Sequence, residues 1–447
     1  MKKQQEIDHL REENARLKAR LRYQERTAKE GLFGSSTPSS KVPVKPSAPA
    51  DSAPRFGGAK PGHVGHGRRT IPLEQADRVE RVCVPERCPQ CGRLLQTKGT
   101  QSRTVIDVHP LRRHTVCYQL EQKYCSYCCK LVRASAPGVL PRALLSNRLL
   151  AHVAVQHYVY GVTLGQLENQ LDVGYGTLLG ALHQLARLLE PACERLVQDY
   201  RQAPVRHADE TGWRTDGRNG YAWLFNTETI SIFRFRQSRS GQVALQVFGT
   251  KGLRGVLVVD RYHGYNRAPC ALQYCYAHLL RDVQDLEKEF PEHPEIQNFV
   301  STFAPLLARA IQLRSLKLTR EQFLRQADQT QQEILALVQA PAQHPGIQKI
   351  QDIFRRQKQR LFHWTKSPKI PADNNRAERE LRPLVIARKI SFGSQSETGA
   401  RTRETLMTVL HTLRKRTANV TAAFEQASNG LSDQKMEPYA ALGFDSS

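Results

Sequence analysis

Three carboxylates in this sequence stand where two strands and a basic helix could bring them together. The stretch A-P-V-R-H-A-D-E-T (203–211) reads as a strand ending at Asp209, and L-R-G-V-L-V-V-D (253–260) as a nearly continuous apolar strand ending at Asp260. Buried central strands have that composition. If the two are neighbours in one sheet, both carboxylates emerge at the same edge, close enough to share a hard cation with oxygen ligands. Either Asp alone could equally be a turn residue or a helix cap. The third acid is Glu378, in P-A-D-N-N-R-A-E-R-E-L-R-P (371–383), where Asp373 or Asn374 can cap a helix that carries it one turn in. Arg376, Arg379 and Arg382 surround it, and residues 360–416 hold 13 Lys/Arg against 5 Asp/Glu. A salt-bridged surface and a phosphate-binding site would both produce such a cluster, and the local charge excess favours phosphate.

Four thiols form a second constellation. Cys88-Pro-Gln-Cys91-Gly92 and Cys125-Ser-Tyr-Cys128 flank 33 residues that include two strand-like runs, 104–109 and 115–120. Two Cys-x-x-Cys turns at the ends of a hairpin can present four thiolates tetrahedrally, as structural Zn²⁺ requires. The spacer is longer than usual, Cys129 rivals Cys128, and Cys83 and Cys117 read as core or incidental thiols. Such a zinc stiffens a small module and implies no catalysis.

Elements must position these groups. Residues 1–30 read as a charged helix in which Ile7, Leu10, Asn14, Leu17 and Leu21 follow heptad spacing, with Asn14 at a register-fixing position. A surface stripe packed on the protein itself would look the same. Residues 31–72, rich in Ser, Pro, Gly and Ala with scattered Lys and Arg, read as a flexible basic linker. Residues 73–140 would be the zinc-binding module. Residues 141–200 read as helices broken by Gly161, Gly174 and Gly176, in a pattern that fits a helix-turn-helix or an ordinary helical hairpin. From residue 203 strands take over (221–225, 230–235, 253–260, 271–277), with a helix over 241–249. A long helical stretch, 279–360, has stops at Pro291–Pro294 and Pro341–Pro345; 426–447 reads as a tail.

Composition narrows the function. The 447 residues suggest two to four folded units. Lys and Arg number 66 against 42 Asp and Glu, a net +24, which calls for a polyanionic partner, nucleic acid before membrane. The longest uncharged run in the hydrophobic middle, 149–167, carries two His, two Gln and two Tyr and is too polar to span a bilayer. With no apolar run after the N-terminal lysines and few cysteines, a reducing cytoplasm is expected.

The sequence resembles bacterial transposases of the insertion-sequence-sixty-six type. The matching signatures are G-G-A-K-P-G-H-V-G-H (57–66), C-P-Q-C-G (88–92), H-A-D-E-T (207–211), V-D-R-Y-H-G-Y (259–265), C-Y-A-H (275–278), D-N-N-R-A-E-R-E-L-R-P (373–383) and A-R-K-I-S-F-G-S (387–394), in the family's order across about residues 1–425. Tyr276 departs from the family's usual Trp. The resemblance implies an α/β chain: a ribonuclease-H-like catalytic domain over 201–425 with 279–360 as a helical insertion, preceded by a small zinc-ribbon-like module and an N-terminal coiled-coil helix. It implies an Asp-Asp-Glu triad of Asp209, Asp260 and Glu378 holding two Mg²⁺ (or Mn²⁺) ions. The activity would be cleavage of DNA at element ends and strand transfer into target DNA. Arg376, Arg379, Arg382, Arg388 and Lys389 are the candidates for DNA backbone contacts, and His278 could support the site or pack within it. Expected partners are element-end and target DNA, a second copy or more of the chain on DNA, and element-encoded accessory proteins, at the prokaryotic nucleoid. A non-catalytic zinc-containing DNA-binding regulator and a nuclease on the same fold are the rival readings.

Overall fold

The sheet begins where the sequence changes from leucine-rich to aromatic and β-branched, after a run of helices. The computed structural model describes residues 113–127 and 130–446, together with 6, 9–11, 13, 14, 17, 18, 74, 79, 86, 87 and 90–94. The chain divides into two units, residues 43–114 and the remainder. In the larger unit a hairpin of β1 (Gln122–Cys125) and β2 (Lys130–Arg133) pairs antiparallel. Then come α1 (Asn147–Tyr158), α2 (Leu164–Leu171) and α3 (Tyr175–Gln202). Ser146 caps α1 by accepting from the Leu149 N–H, and Thr163 forms a capping box with Gln166 at the start of α2. Gly176 does not break α3, which runs 28 residues through Gly180 and Pro191. Leu178, Leu182, Leu185, Leu189 and Leu196 form a fully buried stripe along it, and that packing outweighs the poor helix formers.

The sheet comprises β3 (Val205–Thr215), β4 (Arg218–Asn226), β5 (Ser231–Arg236), β6 (Val256–Val259) and β7 (Ala271–Tyr274), with α4 (Gly241–Phe248) between β5 and β6. Its order is β5-β4-β3-β6-β7. The first three strands pair antiparallel, while β6 runs parallel to both β3 and β7. Strand β3 does not end at Asp209. It continues to Thr215 and returns as β4 through Asp216-Gly217, both at positive φ, a two-residue turn that favours Asp-Gly. The last sheet segment is shorter than the 271–277 expected, because Cys275 is already the N-cap of the next helix.

Helices α5 (Tyr276–Glu289), α6 (Pro294–Gln312), α7 (Arg320–Gln339) and α8 (Pro345–Arg356) fill the expected insertion, broken at both proline pairs. Next come α9 (Asn375–Ser391), α10 (Glu397–Arg416) and α11 (Val420–Asp433). Helix α10 covers the sheet's edge strand with a matched ladder. The N–H groups of Ser231, Phe233 and Phe235 donate to Thr412 Oγ1, Thr408 Oγ1 and Glu404 Oε2, each at 3.0 Å. Four helical residues rise about 6 Å and two strand residues about 6.6 Å, so helix spacing i, i+4 meets strand spacing i, i+2. The edge is thereby closed to pairing with another chain.

The segment expected as a tail is folded. Asn147 Nδ2 in α1 donates to Asn429 Oδ1 and Ser432 Oγ in α11, both at 2.9 Å. Tyr439 OH donates to Asp199 of α3, and Arg195 pairs with Asp445 at 2.9 Å. Among the described residues no helix is long and apolar enough to cross a membrane.

Candidate active site

Register brings the two aspartates together. Parallel pairing matches Val205 to Val256, Arg206 to Leu257 and His207 to Val258. The same offset, carried two residues on, sets Asp209 level with Asp260, one inside β3 and the other directly after β6. Asp209 is 7% exposed, and its Oδ1 accepts the Glu210 N–H at 2.8 Å. Burial pushes its pKa well above the usual carboxylate range, and the charges of Glu210, Asp260 and Glu378 push it further. Asp260 is pushed up to about 7, first by burial and then by Glu210, although Arg239, Arg261 and the Tyr262 N–H, which donates to Oδ1 at 3.0 Å, pull it back. Crowded acids that hold protons against one another mark a place short of positive charge.

The third acid, whose charge acts on Asp209, is positioned by a stitch at the start of α9. Asp373 Oδ1 caps by accepting the Asn375 N–H at 2.9 Å. Asn374, the N-cap residue, spends its side chain elsewhere: Nδ2 donates to Ala208 O and Oδ1 accepts from His207 Nδ1, both at 2.9 Å. Its backbone N–H donates to Cys275 Sγ at 3.1 Å, and the Tyr276 N–H donates to Ala372 O at 2.8 Å. The residues preceding Asp209 and the first residues of α5 therefore clamp the helix that carries Glu378. Burial also lowers the His207 pKa to about 3, which keeps the ring neutral within this clamp.

Glu378 sits in the first turn of α9, at the positive end of the helix dipole. Its Oε1 is buried without a hydrogen-bond partner and lies 3.8 Å from His278 Nδ1, which has none either. Burial raises the Glu378 pKa, and Arg281, Arg382 and Arg379 work against the rise. His278 is lowered to about 3 by burial and by Arg281 and Arg261. Glu380, two residues on, is the contrast: it is bonded to Asn226, Ser231 and, at 2.8 Å, Lys415 Nζ. One acid of α9 is consumed by the fold, and the other is left open.

Sequence reasoning missed Glu210 and Arg281. Arg239 Nε and Nη2 donate to Glu210 Oε1 at 2.9 and 2.6 Å, and Tyr265 OH donates to Oε2. The Arg239 guanidinium also stacks 3.9 Å from the Tyr262 ring centroid. Glu210 thus ties the loop that follows Asp260 to β3. A Glu beside one Asp and two tyrosines after the other were the available signals. Arg281 lies one turn beyond His278, far in sequence from the basic stretch 360–416.

The predicted basic contacts divide. Arg379, Arg382 and Lys389 are exposed; Arg376 is half-buried and 4.0 Å from Glu228. Arg388 turns inward, with Nη1 donating to Thr211 Oγ1 at 3.0 Å and Gly212 O at 2.5 Å, so it bolts α9 to β3. Of the thiols, Cys88 and Cys128 lie outside the described residues, Cys125 ends β1, and Cys91 is exposed in a turn. There Arg87 bridges Leu94, Arg87 Nη1 donates to Gly92 O at 3.1 Å, and Gly92 takes φ +71°. Cys117 is exposed and is no core thiol. Of the heptad seam, Leu10, Asn14 and Leu17 are helical and exposed, and Ile7 and Leu21 lie outside the described residues, as does the whole linker, 31–72.

An uncharacterized protein, y4qI, of Sinorhizobium fredii is 23% identical over 398 residues, covering 80% of this chain and 73% of its own length. The model of the Transposase IS66 family matches residues 142–402, helices α1 to α9, the five-stranded sheet and all three acids among them. With more than half its length matched, the chain belongs to the Transposase IS66 family.

Proposed function

We propose that this protein is a metal-dependent DNA transposase that cleaves at element ends and joins the freed 3′ end to target DNA. The observation that carries the reading is the register that sets Asp209 level with Asp260, together with the charge of Glu378 acting on Asp209; each carboxyl has a raised pKa, and Glu378 keeps an unpartnered oxygen. An antiparallel trio of strands extended by two parallel ones, with an acid on the central strand, supports a ribonuclease-H-like catalytic domain. The donor set is all oxygen and strongly anionic, which fits Mg²⁺ or Mn²⁺. Two such ions, when bound, supply an activated hydroxyl nucleophile and stabilise both the leaving oxygen and the charge on phosphorus.

The chain's own residues supply the rest. Backbone N–H groups of Glu210 and Tyr262 fix one oxygen each of Asp209 and Asp260, leaving the other oxygens to bind. The Asn374 clamp holds Glu378 at its distance from β3. Exposed Arg379, Arg382 and Lys389, with Arg376, bind the DNA backbone, while Arg388 acts by holding α9 in place. A structural Zn²⁺ on Cys88, Cys91, Cys125 and Cys128, an N-terminal coiled coil and the basic linker would pair two element ends in a dimer or larger assembly, with accessory proteins, at the nucleoid.

Incubation of the purified chain with a labelled element end, target DNA and Mg²⁺ tests this. Nicked ends followed by joined products are expected. Nicking without joining would indicate a nuclease, and DNA binding with neither product would indicate a regulator.

A further inference from the structure

We propose that Cys275, His278 and Glu378 form a second kind of metal position, one of mixed sulfur, nitrogen and oxygen donors that takes a borderline transition metal such as Zn²⁺ or Co²⁺ in preference to Mg²⁺. One ligand atom from each of the three lies within 4.8 Å of the others. The groups converge from two helix starts: Cys275 is the N-cap of α5, His278 lies in its first turn, and Glu378 lies in the first turn of α9. Cys275 is buried, while the His278 and Glu378 side chains keep 21% and 23% exposure, enough for an ion to enter from one side.

The hydrogen bonding leaves these atoms available. His278 Nδ1 and Glu378 Oε1 are both unpartnered, and at 3.8 Å they are too far apart to bond each other. Two atoms each about 2.1 Å from one tetrahedral ion stand about 3.4 Å apart, so a few tenths of an ångström of closure would seat it. The Asn374 N–H directed at Cys275 Sγ is the outer contact that orients a sulfur ligand. Three protein ligands leave a fourth tetrahedral position open. Thiolate and imidazole select Zn²⁺ and its neighbours, whereas Mg²⁺ demands oxygen ligands.

The ligand set stands on geometry alone. Its consequence for the reaction rests on the role proposed above for Glu378, which would make the metal position at Glu378 softer than the one at Asp209 and Asp260. Full-length protein, stripped by chelation, should be titrated with Co²⁺ and followed by thiolate-to-cobalt absorption and by equilibrium dialysis. The N-terminal cysteines contribute their own band, so the reading is the difference between the wild type and Cys275→Ser. The wild type should bind one more equivalent of Co²⁺, with a matching excess of absorption, and His278→Gln, which keeps the thiol, should bind that equivalent roughly tenfold or more weakly. Equal stoichiometry and spectra for wild type and a folded Cys275→Ser overturn the proposal. Should Cys275→Ser not fold, unchanged Co²⁺ affinity in His278→Gln overturns it. Joining assays on Glu378→Gln separate the two readings: lost joining, with no cobalt difference between wild type and Cys275→Ser, rejects only this site, and retained joining, with that difference present, rejects only the reaction.

Discussion

Asp260 shows how a single carboxyl reports the missing positive charge. Folded, it keeps its proton to about pH 7; an unfolded Asp releases it from about pH 4. Across that window the folded state binds more protons, so this group's contribution to stability falls as pH rises. In chelator, Asp260→Asn should therefore raise the melting temperature more at pH 8 than at pH 5; equal shifts at both pH values contradict the electrostatics. His157, His207 and His411, neutral when folded, give the opposite slope but do so in both proteins. Asp209, Asp260 and Glu378 stood out in the sequence as candidates because Asp260 closes an apolar run, Asp209 follows a strand-like one and Glu378 sits among arginines. What sets Glu378 apart from Glu380 lies in partners 35 or more positions away: Asn226, Ser231 and Lys415 hold Glu380, while Glu378 Oε1 has no hydrogen-bond partner.

At the scale of elements, the start of α9 decides where Glu378 stands. Asp373 and Asn374 were both legible as caps; Asp373 accepts the Asn375 N–H, while Asn374 reaches across to β3, a tertiary contact that local spacing cannot encode. Asn374→Ala would orphan Ala208 O and the His207 ring, at about 1–3 kcal/mol for each buried group. Urea unfolding should register that loss. Joining by the folded fraction should fall further, because a helix freed at its first turn no longer fixes Glu378; joining that tracks stability alone would reduce Asn374 to a packing residue. The β3 strand was read short for a related reason. Its second half is charged and Gly-containing, but the Asp216-Gly217 turn and the pairing with β4 carry it to Thr215. Proline pairs, by contrast, marked the insertion's helix breaks correctly, because proline acts through its own ring and missing N–H.

For the whole molecule, a net charge of +24 makes DNA affinity salt-dependent. Arg379→Ala and Arg382→Ala should each flatten the slope of log K against log salt by roughly 0.9, whereas Arg388→Ala should leave the slope unchanged and lower stability, since its guanidinium is engaged with Thr211 and Gly212. A reversed pattern in filter-binding and melting experiments would mean that α9 presents a different face to DNA. The charge and the order of motifs were visible in the sequence, but the folding of residues 426–446 onto α1 and α3 was not, because its anchors at Asn147, Asp199 and Arg195 are each more than 200 residues distant. The most direct test of the central claim compares two variants of one helix, Glu378→Gln and Glu380→Gln, for joined product per folded molecule with Mg²⁺ and a labelled element end. The account predicts that Glu378→Gln binds DNA, melts near the wild type and makes no joined product. It predicts that Glu380→Gln loses stability, by about 3–5 kcal/mol if the Lys415 pair behaves as buried pairs do, yet joins when folded. Joining by Glu378→Gln at the wild-type rate would contradict it.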